Sequence, residues 1–426
     1  MKNLKPILAI IILIISVSYL SMVVVQHLPL YTSKYSAQKT KQLYDESQWS
    51  QSQNVSPMKI LDAWALKNKY TGWNNFVDEN KEKKDIEKVK KEIIDSVRAK
   101  GVSDATLYTY VGHEYMRGTD PTLLNPEHPP LGKYLIGISI RVFQNEHVIL
   151  LIFGFITLIT IFFIVSSSTK SYLPASVAIL LTTTHSLFID QLIHGPQLEL
   201  FQLTFFLLMV LFLMLFEERK NVLHLIFSAV FFGCFLSVKT FSTHFLLIIA
   251  WLTTLIFFSK KFKLKEWIVL NAGAVVIFIS TYAVFFLKGG SLRQWLGVQK
   301  YIVMFYKQAG INVFEFAGNY LRLIFTGSWK FWTDNSPVSH YGEWSIMWSI
   351  VFIFTIMVII MMLKQKDKKN VSFLEWMLIS FIGIYNLYLF IIPMFPRYLL
   401  LLFIPMIVLI SIRFNTSIIF YEKSKK

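Results

Sequence analysis

Nine ionisable side chains stand in the loop after the first long apolar stretch or at the edges of later ones: Asp104, Glu127, His128, Lys133, Asp190, His194, Glu199, Lys239 and Arg397. A charge at the edge of a membrane-length apolar run is costly to place and marks a functional candidate. The set mixes carboxylates with isolated cations. Cations of this kind hold phosphate, and a carboxylate beside them can take a proton from an attacking hydroxyl. Together they suit a reaction on a phosphate-bearing lipid at a headgroup surface. Each also has a structural reading. Asp104 suits a helix N-terminus, Lys239 and Arg397 can snorkel as interfacial anchors, and Glu127 and His128 can be loop hydrogen-bonders. A divalent metal is the other use for Glu127, His128, His194 and Glu199, although their spacing fits no ligand pattern. His113, Glu114, His340 and Glu343 carry less signal, and Cys234 lies inside an apolar run and reads as packing.

These residues need elements to hold them. Of 426 residues 54% are apolar and 16% charged, with 38 Phe, one Cys and a net charge of +16. That balance excludes disorder, a fibre, a disulfide scaffold and an ordinary soluble enzyme, and indicates an all-α polytopic membrane protein. About ten apolar runs of spanning length are expected, near 7–26, 147–165, 172–188, 199–216, 222–237, 242–258, 268–287, 345–363, 372–392 and 398–412. The first follows Lys2 and Lys5 and continues past Ser16-Val17-Ser18, as a signal anchor does. With both termini in the cytoplasm, the inner connections hold 17 Lys+Arg against five acids. The positive-inside rule favours that orientation. The +16 is then mostly topology, and no nucleic-acid partner is expected. The candidate residues fall on the external face.

The expected divisions are a signal-anchor span (1–26), an external loop with motif-bearing and interfacial helices (27–146), a first transmembrane part (147–287), an aromatic-rich external loop (288–344) and C-terminal spans with a basic cytoplasmic tail (345–426). Within the first loop, Ile86, Val89, Ile93 and Val97 predict a charged surface helix over Asp78–Lys100. A second helix is predicted from Ser103 as N-cap to Arg117, broken by Gly118-Thr119-Asp120-Pro121. The run Asn125–Pro130 should be extended, because residues before proline avoid the helical region. Pro130 suits the first turn of an interfacial helix, Leu131–Phe143.

The run Pro126-Glu127-His128-Pro129-Pro130-Leu131-Gly132-Lys133 closely resembles the His-Pro-Pro-Leu-Gly-Lys signature of the protein O-mannosyltransferases, a family of the GT-C superfamily. Asp104 stands where that family carries an Asp-Glu pair. Leu198-Glu199-Leu200-Phe201, Gly233-Cys234-Phe235-Leu236-Ser237-Val238-Lys239 and Arg397-Tyr398-Leu399 are similar to its later landmarks. The sequence departs from the pattern at Ala105, in place of the pair's Glu, at Glu199, where Asp is usual, and in an extra segment over 32–101. No MIR module is evident.

The resemblance implies a GT-C-like bundle in the cell membrane and inverting transfer of a hexose, mannose in the family's name, from a polyprenyl- or dolichyl-phosphate carrier to a hydroxyl of a protein or glycan. Asp104 would be the general base, Lys239, Arg397 and Lys133 the donor-phosphate cations, and Glu127, His128, Glu199 and Asp190 the substrate pocket. The rivals are a glycolipid- or cell-wall-modifying transferase similar to the aminoarabinose transferases, a transporter or flippase, and a non-catalytic scaffold.

Overall fold

A computed structural model of the chain describes residues 4–46, 84, 102–239, 241–259, 262–308, 317–330, 338–364 and 371–424. The charged helix expected over Asp78–Lys100, and most of the extra segment, lie outside them. Among the described residues the chain is almost wholly helical. The helices are α1 (Leu4–Gln26), α2 (Leu28–Thr32), α3 (Ala37–Asp45), α4 (Asp104–Met116), α5 (Leu131–Phe143), α6 (Val148–Thr169), α7 (Tyr172–Thr183), α8 (Ser186–Ile193), α9 (Glu199–Arg219), α10 (Val222–Leu236), α11 (Phe241–Ser259), α12 (Leu264–Ser280), α13 (Ala283–Leu287), α14 (Leu292–Gln308), α15 (Asn319–Thr326), α16 (Ile346–Lys364), α17 (Phe373–Phe390) and α18 (Leu400–Ser424), with a 3-10 turn at Pro396–Leu399 before α18. A two-stranded antiparallel hairpin, β1 (Ser328–Lys330) and β2 (Val338–His340), pairs Trp329 with Ser339.

Six described helices are long and apolar enough to cross a membrane, seven if a bent pair counts as one span. The chain is an all-α multi-pass membrane protein. The ten runs read from hydropathy differ from this where the backbone breaks. The run 172–188 is α7 and α8, bent by 59°, and the run 268–287 is split at Thr281-Tyr282 between α12 and α13. The runs near 222–237 and 242–258 contain shorter apolar helices, Val222–Leu236 and Leu246–Ile256. Composition records how oily a stretch is, but not whether its axis is straight.

α9 is the interior helix. It packs on α6, α10 and α17 and buries residues all around its circumference, from Leu200 to Phe216, the pattern of a helix enclosed by others. α1 packs chiefly on α7 and leaves most of its surface to the bilayer.

α4 starts as its sequence predicts. The Ser103 hydroxyl accepts from the Thr106 amide, and Asp104 occupies the first turn, where negative charge is favoured. Gly118 at φ +88° ends the segment, a conformation that suits glycine. α4 crosses α5 at Gly112 and Gly137. A Cβ on Gly112 would lie 2.5 Å from the Lys133 carbonyl, and one on Gly137 would run into the Gly112 carbonyl. The two backbones touch there, which only glycine permits.

Candidate active site

Four of the nine candidates converge. Asp104 comes from the first turn of α4, Glu199 from the first residue of α9, Lys239 from just beyond α10, and Arg397 from the 3-10 turn. Arg397 Nη2 donates to Asp104 Oδ2 at 2.6 Å, and its Nη1 donates to Gln197 Oε1 at 2.9 Å. Its Nε lies 2.8 Å from Glu199 Oε1, and Lys239 Nζ pairs with that same oxygen. The Tyr398 ring lies under Lys239, 3.8 Å from Nζ to the centroid, and Phe395 lies 4.7 Å from the Arg397 guanidinium. Two carboxylates thus balance two cations, with aromatic faces adding to the cations' attraction.

Exposure separates the members. The Glu199 side chain is 3% exposed and that of Lys239 6%, whereas Asp104 is 38% exposed. A buried pair holds together because each charge would be costly alone. Burial pulls Lys239 down to about 8, against the opposing pull of Glu199. Asp104 is the member that an incoming molecule can reach.

The signature run lies beside this cluster and ties its elements together. The Leu131 amide donates to the Ser237 carbonyl at 3.0 Å, joining the start of α5 to the turn that carries Lys239. A Cβ on Gly132 would meet Leu198 Cδ2 at 2.7 Å and Val238 Cγ1 at 3.3 Å. Gly132 therefore lets the residues preceding Glu199 and Lys239 close on the same spot. The glycine crossing then fixes α4, with Asp104 at its tip, to the same helix.

The other candidates have other surroundings. The resemblance grouped Lys133 with the phosphate cations, but here its side chain is fully enclosed. Its Nζ donates to the Asn125 carbonyl at 2.5 Å, to Asn125 Oδ1 at 3.1 Å and to the His128 carbonyl at 2.7 Å. Burial pulls Lys133 down to about 7, and Glu127 opposes the shift. Asn125 Nδ2 in turn donates to Glu127 Oε2 at 2.8 Å. Lys133 holds the Asn125–Pro130 loop in shape, and a lysine with three oxygen partners has no donor left for phosphate. His128 packs its ring edge-on to Tyr108.

Asp190 and His194 form a separate pair at 2.9 Å, one turn apart on and after α8; the hydrogen bond that His194 donates to the Asp190 carboxylate raises its imidazole. Glu127, His128, His194 and Glu199, the metal donors considered from sequence, thus go to different partners. Among the described residues no three His, Cys, Asp or Glu side chains gather as a metal site. His113 pairs with Glu114, and His340 lies beside Ser328. Cys234 is mostly buried in α10.

Sequence reasoning missed Gln197, Gln202, Tyr385 and Tyr388, and it gave Tyr398 no role. Gln202 could have been found, because it follows Glu199 by three residues and so shares its helix face. Gln197 and the tyrosines could not, since neutral side chains next to apolar spans are ordinary.

Comparison with known families supports a membrane glycosyltransferase of the GT-C type. Residues 127–285 match the family model of the dolichyl-phosphate-mannose-protein mannosyltransferases. The matched stretch contains the signature run, Glu199 and Lys239; Asp104 and Arg397 lie outside it and join through the fold. Among curated proteins none matches the chain.

Proposed function

We propose that the chain moves a hexosyl group from a polyprenyl-phosphate carrier to a hydroxyl of a protein or glycan at the external face of the membrane. The observation that carries this reading is the convergence of Asp104, Glu199, Lys239 and Arg397 from four separate elements. Arg397 and Lys239 hold the donor phosphodiester. Its phosphate displaces Asp104, the more exposed partner, from Arg397 Nη2, while Glu199 stays paired. The acceptor oxygen attacks the anomeric carbon, and the bond from that carbon to the phosphate oxygen breaks. The hydroxyl proton passes to the released Asp104. The departing phosphate monoester gains negative charge, so cations fixed beside it bind the transition state better than the ground state.

The test supplies purified protein with polyprenyl-phosphate sugars and measures transfer to a hydroxyl acceptor and hydrolysis. Asp104→Asn and Arg397→Ala should each abolish most turnover. Unimpaired turnover in both would sink the assignment.

A further inference from the structure

Beneath the ion cluster lies a hollow of about 40 Å³, lined by Glu199, Lys239, Gln202, Tyr385, Tyr388 and Tyr398 among others. Gln202 is 1% exposed, and its amide nitrogen Nε2 has no hydrogen-bond partner. An unmade hydrogen bond on a buried amide is costly and calls for an explanation. The Tyr385 hydroxyl donates to the Tyr398 carbonyl at 2.9 Å, and its oxygen does not accept from Gln202 Nε2. The orphan donor therefore faces a space in which no wall oxygen accepts from it.

The size of the space limits what can complete it. A water needs about 10–15 Å³ of such volume, so the hollow takes two or three waters or one small polar group, but not a sugar ring. It shares Glu199 and Lys239 with the cluster. In the reading proposed above, on which this inference rests, the donor's anomeric carbon is one oxygen away from a phosphate held by Lys239 and Arg397. The sugar ring must then lie against the mouth of the hollow. A ring hydroxyl stands one bond off the ring, whereas an exocyclic hydroxymethyl carries its oxygen one bond further and can enter.

We infer that Gln202 and the tyrosine-lined hollow form a socket for the exocyclic hydroxymethyl of the transferred hexose. Gln202 Nε2 donates to that hydroxyl, and waters occupy the space between turnovers. The socket makes the enzyme selective for hexoses that carry this group.

The experiment compares three donors on one polyprenyl phosphate: a hexose, its 6-deoxy analogue and the corresponding pentose. Wild-type protein should favour the hexose by at least about tenfold in kcat/KM, because a site built to bind a hydroxyl rejects analogues lacking it. Gln202→Met should bring the three donors within about twofold of one another, with binding of sugar-free polyprenyl phosphate unchanged. Gln202→Asn, which keeps the amide but draws it back, should fall between and serves as the reading if the Met variant does not fold. A Met or Asn variant that keeps the wild-type ratio, or a wild type indifferent to the hydroxyl, overturns the socket and leaves a water-filled hollow. A wild type that transfers from none of the three overturns the underlying function instead.

Discussion

Among the described residues two lysines are buried, in different ways. Lys239 is enclosed among charges, with Glu199 at its ammonium, Arg397 beside it and the Tyr398 ring below. Lys133 donates to neutral oxygens, two carbonyls and an amide, with the Glu127 carboxylate behind that amide. Burial lowers both, to about 8 and about 7. Yet one stands in a cluster whose outer member can be reached and exchanged, and the other closes a loop. The specific eight-residue run holds the scaffold lysine. The residues that can meet a phosphate are scattered singly along the chain. The most recognisable segment of this sequence is thus framework, and the chemistry proposed above lies in residues that it aligns.

The contrast can be broken by mutation, and the largest effect belongs at the cluster. Arg397→Ala should cost about a hundred- to a thousandfold in transfer rate, the usual scale for losing a preorganised transition-state donor. Lys239→Met should cost about tenfold to a hundredfold by the same argument. Lys239 also sets a pH limit. It is a cation below about 8 and loses its charge as pH rises through that value, so the rate should fall on the alkaline side. Lys239→Arg should remove that limb, because guanidinium stays charged. A flat pH–rate profile in wild type would argue that Lys239 does not act as a cation.

Smaller effects test the framework. Gly132→Val adds atoms where Leu198 and Val238 already close in. It should lower transfer by about tenfold through misplacement of Glu199 and Lys239, with KM for the donor rising alongside. Lys133→Met should act on stability instead. Its three oxygen partners would be left buried and unpaired, at about 1–3 kcal/mol for a buried group so orphaned. That loss should appear as a lower Tm, with turnover per folded molecule within about threefold of wild type. If Lys133→Met instead matches Arg397→Ala in rate while keeping its Tm, the distinction between the two lysines fails. His194→Ala should shift stability least, within about 0.5 kcal/mol, as expected for a half-exposed side chain away from the cluster.

Much of this was legible in the sequence, for reasons that can be named. Asp104, Glu199, Lys239 and Arg397 are conspicuous because charge is rare at the ends of apolar helices. Ser103 announces α4 because a hydroxyl is what an N-terminus needs. The resemblance of the signature run is likewise matched by the family model. The partner of each cation was not legible, because charge and spacing do not say whether a lysine will meet a carboxylate, a carbonyl or a ligand. Lys133 shows this directly. Bends were hidden for a similar reason: Thr184-His185 interrupts a run that still averages as apolar. Gln202 stayed hidden because its importance lies in the bond it lacks.

The contact of Gly112 with Gly137 has a consequence for motion. With no side chain between them, α4 and α5 cannot slide past each other without one backbone climbing over the other. The pair should therefore open as one cooperative unit. In hydrogen exchange, the amides of α4 and α5 at the crossing should show a common opening free energy, close to that of the interior helix α9. Gly137→Ala would place a methyl group against the Gly112 carbonyl and separate the two. The amides near Asp104 should then exchange earlier than those of α9, showing that the reach of the acid at the tip of α4 is set by a joint between two residues that carry no side chain.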